Sequence, residues 1–201
     1  MSDHYYSQSP TSATQLREIT IRARGMTRTV WTDNGVFSKQ GLDYGTRLLV
    51  ETVELPEEGT VVDLGCGYGA VTALLAPLYP KLAFLMLDVN ERAVALAVKN
   101  TQFAADRVRA YVSDGFAAVP EAAADAILLN PPIRAGKQVV YRLFDEAADH
   151  LNAAGALWVV IHKKHGAESA RRHLEGRYEV TLVERAAGYH IFRCVRIERL
   201  S

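Results

Sequence analysis

From residue 60 onward the chain alternates short apolar strands with amphipathic helices, and this alternation constrains its fold more than any other feature. The segments that predict strands are TVVDLG (60–65), LAFLMLDV (82–89), RVRAYVSD (107–114), DAILLN (125–130) and ALWVVIH (156–162). The segments between them that predict helices are 68–79, 91–104 and 137–151, and a short helix follows at 166–176. Repeated βαβ units predict an α/β fold with a mostly parallel sheet covered by helices on both faces.

Two further strands, 178–184 and 189–198, follow at the C-terminal end and bring the predicted sheet to seven strands. The short turn at Ala186, Ala187 and Gly188 between them predicts an antiparallel hairpin. We expect Gly155 to end the helix that precedes the fifth strand.

The first 59 residues predict an accessory segment ahead of this core. Residues 16–31 alternate apolar and polar side chains around Gly25, which predicts a β-hairpin. A polar loop and a helix over 42–55, stopped by Pro56 and Gly59, complete the segment. We expect 1–15 to be a flexible tail and 16–201 to be a single domain, divided into 16–59 and a core at 60–201.

Composition narrows the class of protein without naming a substrate. The 201 residues include 23 basic and 23 acidic side chains, so no global positive field indicates a nucleic-acid partner. The two cysteines lack metal-type spacing, and the six histidines form no HExxH-like cluster, so no metal site is expected. Neither a signal peptide nor an apolar membrane span is evident, which favours the cytoplasm. We expect a monomer, although the sequence does not constrain oligomeric state.

Acidic residues and glycines cluster where the first three predicted strands end. Asp63 precedes Gly65, Gly67 and Gly69 in the turn after the first strand, and glycine lets a backbone approach a ligand closely. The other strand-end acids, placed to accept hydrogen bonds from a ribose and an adenine amine, are Asp88 and Asp114. This pattern predicts a nucleoside pocket, which NAD and S-adenosylmethionine would both fit.

The fourth strand ends in Asn130, Pro131 and Pro132, which favours S-adenosylmethionine over NAD. Two prolines fix the turn and remove two backbone donors. The rigid turn should present the Asn130 side-chain oxygen and neighbouring carbonyl oxygens, which accept hydrogen bonds from an NH₂ group. This arrangement suits methyl transfer to an exocyclic amine. The alternative is a proline turn that only ends the strand.

The segments DLGCGYG, DVNERA and NPPIRAGK resemble those of the small-domain class I methyltransferases, a family that includes the bacterial ribosomal RNA guanine-N2 methyltransferases. The resemblance extends to GVFSKQGLDYGTRLLVE and HKKHGAESA. It implies a Rossmann-like fold, S-adenosyl-L-methionine as cofactor, and ribosomal RNA or a ribosomal subunit as partner. It also places Thr46 and Val89 with the cofactor and Asn130, Pro131, Pro132 and Ile133 at the catalytic turn.

Ile133 departs from the wider NPP group, which carries an aromatic residue there to stack on the target. Phe37 is the candidate replacement, in a segment from Phe37 to Thr46 that resembles a cofactor and substrate lid. That segment also contains Lys39, Asp43 and Gly45.

Basic residues beside the expected crevice could contact phosphates around an extruded nucleotide. These are Arg134 and Lys137 beside the proline turn, Lys163 and Lys164 after the fifth strand, and Arg22, Arg24 and Arg28 on the hairpin. Family members often carry a second, degenerate domain ahead of the catalytic one, and this chain has only about forty residues before its first long helix.

Four alternatives to RNA methylation remain open from the sequence. The same fold could methylate a protein glutamine amide or a small-molecule amine. A nicotinamide-dependent oxidoreductase would leave Asn130-Pro131-Pro132 without a role. A binding module without turnover would not need an intact proline turn.

Overall fold

A computed structural model of the chain describes residues 15–33 and 41–197. Most of the predicted tail, 1–15, and most of the polar loop therefore lie outside the described residues. Nine strands and five helices are present within the described ranges. The strands are β1 (Arg17–Ala23), β2 (Met26–Thr32), β3 (Gly59–Leu64), β4 (Leu82–Asp88), β5 (Val108–Val112), β6 (Ala124–Leu129), β7 (Leu151–His162), β8 (Tyr178–Ala186) and β9 (Tyr189–Arg196). The helices are α1 (Tyr44–Thr52), α2 (Ala70–Leu75), α3 (Glu91–Asn100), α4 (Lys137–Asp149) and α5 (Ala167–Leu174).

The main sheet has seven strands in the order β5-β4-β3-β6-β7-β9-β8. Strands β3 to β7 pair in parallel, and β9 is antiparallel to both of its neighbours, β7 and β8. This confirms the predicted mostly parallel seven-stranded sheet. The direction of the crossovers reverses between β3 and β6, and open α/β sheets bind ligands at such a point, outside the carboxyl ends of the strands.

Both predicted hairpins are present, and each closes through two residues with positive φ. Ala187 and Gly188 have φ of 48° and 82°, and Arg24 and Gly25 have φ of 52° and 74°. Such turns match the twist of two antiparallel strands. Strands β1 and β2 form a separate two-stranded sheet.

The two faces of the main sheet bury separate apolar clusters. One cluster joins α1, α2 and α3 with the hairpin, which contributes Ile21, Ala23 and Val30. The other joins α4 and α5 around Phe144, Phe192 and Tyr178. The hairpin is therefore part of the core on one face. Within residues 15–33 and 41–197, no helix is long and apolar enough to cross a membrane.

Gly155 corrects one expectation, because it lies inside β7 and does not end a helix. Helix α4 ends at Asp149, and the next residue, His150, stacks on Phe116 at 3.9 Å between ring centroids. The pairing of β6 with β7 shifts register between Ala124 and Ala126. A Cβ at Gly155 would lie 2.8 Å from the Ala124 carbonyl oxygen, so glycine is needed for this close approach.

Candidate active site

The carboxyl edge of the parallel strands forms a crevice made of two adjoining cavities. The larger has a volume of about 290 Å³ and extends from the turn after β3 to the end of β7 and the start of β9. The smaller, about 30 Å³, lies at the ends of β4 and β5. Gly65, Asn130 and Pro132 line both cavities. The turn after β6 is thus the place where the two halves of the crevice meet.

The glycine turn after β3 is held to the next strand by backbone hydrogen bonds. The Gly65 N–H donates to the Leu87 carbonyl at 2.7 Å. Gly65 has φ of +73°, and a Cβ there would meet nothing within 4 Å. Because glycine has no side chain, the space beside the backbone stays open. Gly67 also lines the larger cavity. At Gly69 a Cβ would lie 3.0 Å from Ala97 Cα, so this glycine serves the packing of α2 on α3.

Two buried carboxylates lie beneath the crevice. Asp63 accepts a hydrogen bond from the Thr72 hydroxyl at 2.9 Å, and Asp88 accepts from the Gly67 N–H at 2.8 Å and the Asn90 N–H at 2.9 Å. Burial raises the pKa of Asp63 to about 7 and also raises the pKa of Asp88. Asp63 lines the larger cavity and Asp88 the smaller. A cationic ligand group in the larger cavity would favour the ionised form of Asp63.

The end of β5 differs in detail from the sequence-based expectation. Ser113, Gly115 and the predicted Val89 line the smaller cavity. The Asp114 carboxylate instead accepts a hydrogen bond from Arg142 at 2.5 Å and is about half exposed. A contact between Asp114 and adenine stays a prediction.

Asn130 has its amide orientation fixed by two neighbours at the start of α1. Its Nδ2 donates to Thr46 Oγ1 at 3.0 Å and contacts Asp43 Oδ1 at 3.4 Å. The same Asp43 oxygen caps α1 by accepting from the Thr46 N–H at 3.0 Å. Because a carboxylate only accepts hydrogen bonds, the amide nitrogen must face Asp43, and Asn130 Oδ1 lies on the opposite side of the amide.

The two prolines continue into a short 3-10 turn over Ile133–Ala135. The Pro131 carbonyl accepts from the Ile133 N–H, and the Pro132 carbonyl accepts from the Ala135 N–H, each at 2.9 Å. The proline carbonyls thus already accept one bond each and keep only a second lone pair for a ligand. Ile133 also lines the larger cavity. Among the acceptors expected at this turn, the Asn130 side-chain oxygen is the one whose orientation is best fixed for binding a ligand.

Among the residues of the larger cavity that the sequence did not single out are His162, His165 and Tyr189. Tyr189 is the first residue of β9, which runs antiparallel to β7, so it lies opposite His162 at the carboxyl edge. Desolvation, together with the charge of Asp43, raises the pKa of Tyr189. The predicted hairpin between the last two strands was the signal that could have indicated Tyr189, because it places the start of β9 beside the crevice.

The predicted substrate-binding residues are only partly brought together. Arg134 is exposed and lines the larger cavity, and Lys137 lies at the start of α4 with Nζ 5.1 Å from the centroid of the Tyr141 ring. Lys163 and Lys164 are exposed between the two histidines of the cavity. Phe37 and Lys39 lie outside the described residues.

The hairpin arginines make contacts within the protein. Arg24 donates to the carbonyls of Val50 and Val53 at the end of α1, at 3.3 and 2.6 Å. The Arg28 guanidinium lies 3.9 Å from the centroid of the Phe103 ring. Both side chains therefore contact other elements of the protein, whereas Arg22 is exposed.

Comparison with known proteins shows similarity to one family, to individual proteins and to solved structures. The family described as the methyltransferase small domain matches residues 27–193. An uncharacterised protein of Bacillus subtilis (strain 168), YbxB, is 44% identical over 98% of this chain and 100% of its own length. The ribosomal RNA small subunit methyltransferase C of Erwinia tasmaniensis is 36% identical over 67% of this chain, which spans only 40% of that relative.

Among solved structures, the T. thermophilus 16S rRNA N2 G1207 methyltransferase, in complex with AdoMet and guanosine, superposes with a TM-score of 0.78. It is 26% identical, and the match covers 94% of this chain but 52% of the other. This chain therefore spans about half the length of these ribosomal RNA methyltransferases.

Proposed function

This chain belongs to the methyltransferase small domain family, and on that premise we propose that it methylates the exocyclic N2 amine of a guanine in ribosomal RNA. The methyl donor of the family is S-adenosylmethionine. The observation that carries the proposal is the fixed amide of Asn130 at the junction of the two cavities. A prepared acceptor at this point suits a substrate that presents an NH₂ group.

The residues of the crevice fit S-adenosylmethionine. Gly65 leaves open space beside the backbone, and Asp88 and Val89 line the smaller cavity at the ends of β4 and β5, where we place the adenosine. Asp88 keeps lone pairs for ribose hydroxyls, because each of its oxygens accepts one backbone N–H. Asp63 supplies a buried carboxylate to the larger cavity, where a cationic amino group would be bound. The bound cofactor supplies a methyl group already activated on a sulfonium.

Asn130 then has one main task, which is to bind and orient the target amine. The lone pair of a guanine exocyclic amine is delocalised into the ring, so the nitrogen is a poor nucleophile. An oxygen that accepts a hydrogen bond from this NH₂ favours a pyramidal nitrogen and directs its lone pair across the junction of the cavities. Orientation and electrostatics of this kind can supply most of the rate enhancement, and the proton can leave after transfer.

The choice of RNA rests on the relatives and on local charge. The ribosomal RNA methyltransferases matched above act on RNA according to their names, and one was solved with guanosine. Arg134, Lys163 and Lys164 are exposed around the larger cavity, where they could contact phosphates beside a base extruded from its helix. Such a substrate is consistent with action in the cytoplasm.

The direct test supplies methyl-labelled S-adenosylmethionine and the purified protein to undermethylated ribosomes, separated subunits and free ribosomal RNA. Nucleoside mass spectrometry should find labelled N2-methylguanosine in at least one of them. Label in a ribosomal protein would replace the proposal with methylation of a glutamine amide. Absence of label with cofactor binding intact would contradict an RNA substrate.

A further inference from the structure

We propose that Tyr189, the first residue of the last strand, is the aromatic residue that packs against the target base. The inference rests on the proposed function and concerns the same crevice. Ile133 occupies the position after the proline turn and offers no aromatic surface. A base extruded from an RNA helix loses its stacking partners, and proteins commonly replace them with an aromatic side chain.

The position of Tyr189 follows from the topology of the sheet. Because β9 is antiparallel to β7, its first residue lies at the same edge as the carboxyl ends of β3, β6 and β7. Tyr189 lines the larger cavity together with Asn130 and Ile133. It thus contributes to the part of the crevice that adjoins the Asn130 amide, and it does not line the smaller cavity.

The ring is held in place on two sides. A Cβ at Gly45 would lie 2.8 Å from Tyr189 Cε1, so the backbone of α1 approaches the ring closely. The Tyr44 ring stacks on it at 5.6 Å between centroids, and the His162 ring meets it edge-on at 4.7 Å. A ring fixed in this way needs little reordering when a base binds, which favours affinity.

Tyr68 is the other tyrosine among the described residues that line this cavity, and it is less suited to the role. It lies in the glycine turn and is only 4% exposed, whereas Tyr189 keeps an intermediate exposure. The more accessible ring, on the side away from the cofactor turn, is the one that a base entering from solvent would meet.

The test compares Tyr189→Leu, Tyr189→Phe and the wild-type protein. Removing the ring should lower kcat/KM for ribosomal RNA by roughly 5- to 100-fold, the usual effect of losing one base–aromatic stack. Phenylalanine should recover most of that loss, because the ring and not the hydroxyl makes the contact. The dissociation constant for S-adenosylmethionine should stay within about twofold in both variants, as the contact is to the base.

Tyr44→Leu is the matched control. It removes an aromatic ring that stacks on Tyr189 but does not line the larger cavity, so we expect a smaller loss of kcat/KM than in Tyr189→Leu. A purely structural role for the cluster would make Tyr44→Leu and Tyr189→Leu equally harmful and would lower cofactor affinity and Tm together. That pattern would overturn the proposal, as would wild-type kinetics in Tyr189→Leu.

Binding of free guanosine to the protein loaded with S-adenosylhomocysteine separates this inference from the proposed function. Tyr189→Leu should weaken guanosine binding, and Tyr189→Phe should restore it. If the wild-type protein binds guanosine through Tyr189 but places no methyl group on RNA, the inference holds and the proposed function fails. If the wild-type protein methylates RNA and all variants bind guanosine equally, only the inference fails. If the wild-type protein does not bind guanosine, the inference is overturned.

Discussion

Under the proposed function, single polar residues in the crevice divide between the cofactor and the target amine. Asp88 lines only the smaller cavity, whereas Asn130 lies where the two cavities meet. We therefore expect Asn130→Ala to lower kcat by roughly 100- to 1,000-fold, the usual cost of losing one prepared hydrogen-bonding group at a reacting centre. Its affinity for S-adenosylmethionine, measured by calorimetry, should stay within a few-fold.

Asp88→Ala should show the opposite pattern. It removes the proposed acceptor of the ribose hydroxyls, and hydrogen bonds to a charged group contribute about 1.5–3 kcal/mol each. The dissociation constant for the cofactor should rise at least tenfold, while kcat at saturating cofactor falls less than in Asn130→Ala. Thermal unfolding must be checked in parallel, because Asp88 also accepts two backbone N–H groups. A loss of cofactor affinity in Asn130→Ala and a larger loss of kcat in Asp88→Ala would refute this division of the crevice.

Asp63 makes the stability of the protein depend on pH. Its pKa is raised from 3.8 to about 7 by burial, so the folded chain holds the proton more tightly than the unfolded chain. The contribution of Asp63 to the free energy of unfolding therefore falls as pH rises from about 4 to about 7 and is constant above that. Asp63→Asn removes this dependence. The difference in free energy of unfolding between the variant and the wild type should therefore shift by about 3 kcal/mol in favour of the variant when the pH is raised from 5 to 8.

Thermal unfolding of the cofactor-free proteins at the two pH values measures this gain. The same variant should bind S-adenosylmethionine more weakly at pH 8, because it cannot supply a negative charge to the larger cavity. Equal Tm differences at pH 5 and pH 8 would show that Asp63 does not titrate in this range.

For single residues, the sequence predicted which side chains line the crevice better than it predicted the contacts that those side chains make. Asp63, Asp88 and Asn130 lie in the crevice because each lies within one residue of the end of a parallel strand, and strand ends can be predicted from apolar runs. The engagement of Asp114 by Arg142 could not be predicted, since it joins residues 28 apart through the packing of α4. Tyr189 was missed because its place depends on the direction of β9 in the sheet.

Among the elements, the N-terminal hairpin differs most from its sequence-based interpretation. The sequence predicts phosphate contacts for its arginines, yet the Arg24 guanidinium donates to the last carbonyls of α1. A cation at the C-terminal end of a helix both satisfies free carbonyls and interacts favourably with the helix dipole. The hairpin therefore stabilises α1, whose N-terminal end carries Asp43 and Thr46, the residues that fix Asn130.

Arg24→Ala should lower the free energy of unfolding by about 2 kcal/mol, through loss of charge-assisted hydrogen bonds to two carbonyls. Denaturant unfolding measures this loss. Arg22→Ala is the matched control, since Arg22 is an exposed hairpin arginine, and it should change stability by less than about 0.5 kcal/mol. A loss of RNA affinity in Arg24→Ala without a loss of stability would favour the phosphate-binding interpretation.

The type and order of the elements of the core were predictable, but several of their ends were not. The prediction extended α2 to Tyr79, whereas the helix ends at Leu75. Gly155 was assigned to a helix end because glycine is common there, but in the fold it relieves a close approach to Ala124 at a shift in strand register. The end of α2 follows from Pro77, because helices usually end at or before the residue that precedes a proline, whereas the place of Gly155 arises from tertiary contacts, which outweigh local propensity.

On the scale of the whole molecule, positive and negative charges balance, so any contact with RNA phosphates depends on individual basic side chains. The chain has a formal net charge of zero, yet Lys163 and Lys164 lie at the carboxyl edge of the sheet beside the larger cavity. Lys81 precedes β4 and therefore lies at the opposite, amino edge. If RNA approaches the crevice, only the lysines at the carboxyl edge should contact its phosphates.

We expect Lys163→Gln and Lys164→Gln each to weaken binding of ribosomal RNA roughly three- to tenfold at low salt. Each should also reduce the slope of log K against log salt concentration by about one, because one phosphate contact releases about one counterion. Lys81→Gln removes the same charge from an exposed position and should leave both quantities unchanged. Filter binding or fluorescence anisotropy over a salt series measures affinity and slope together. Equal losses of affinity in all three variants would mean that RNA binding depends on the total charge of the protein. The prediction that RNA phosphates contact the carboxyl edge would then be wrong.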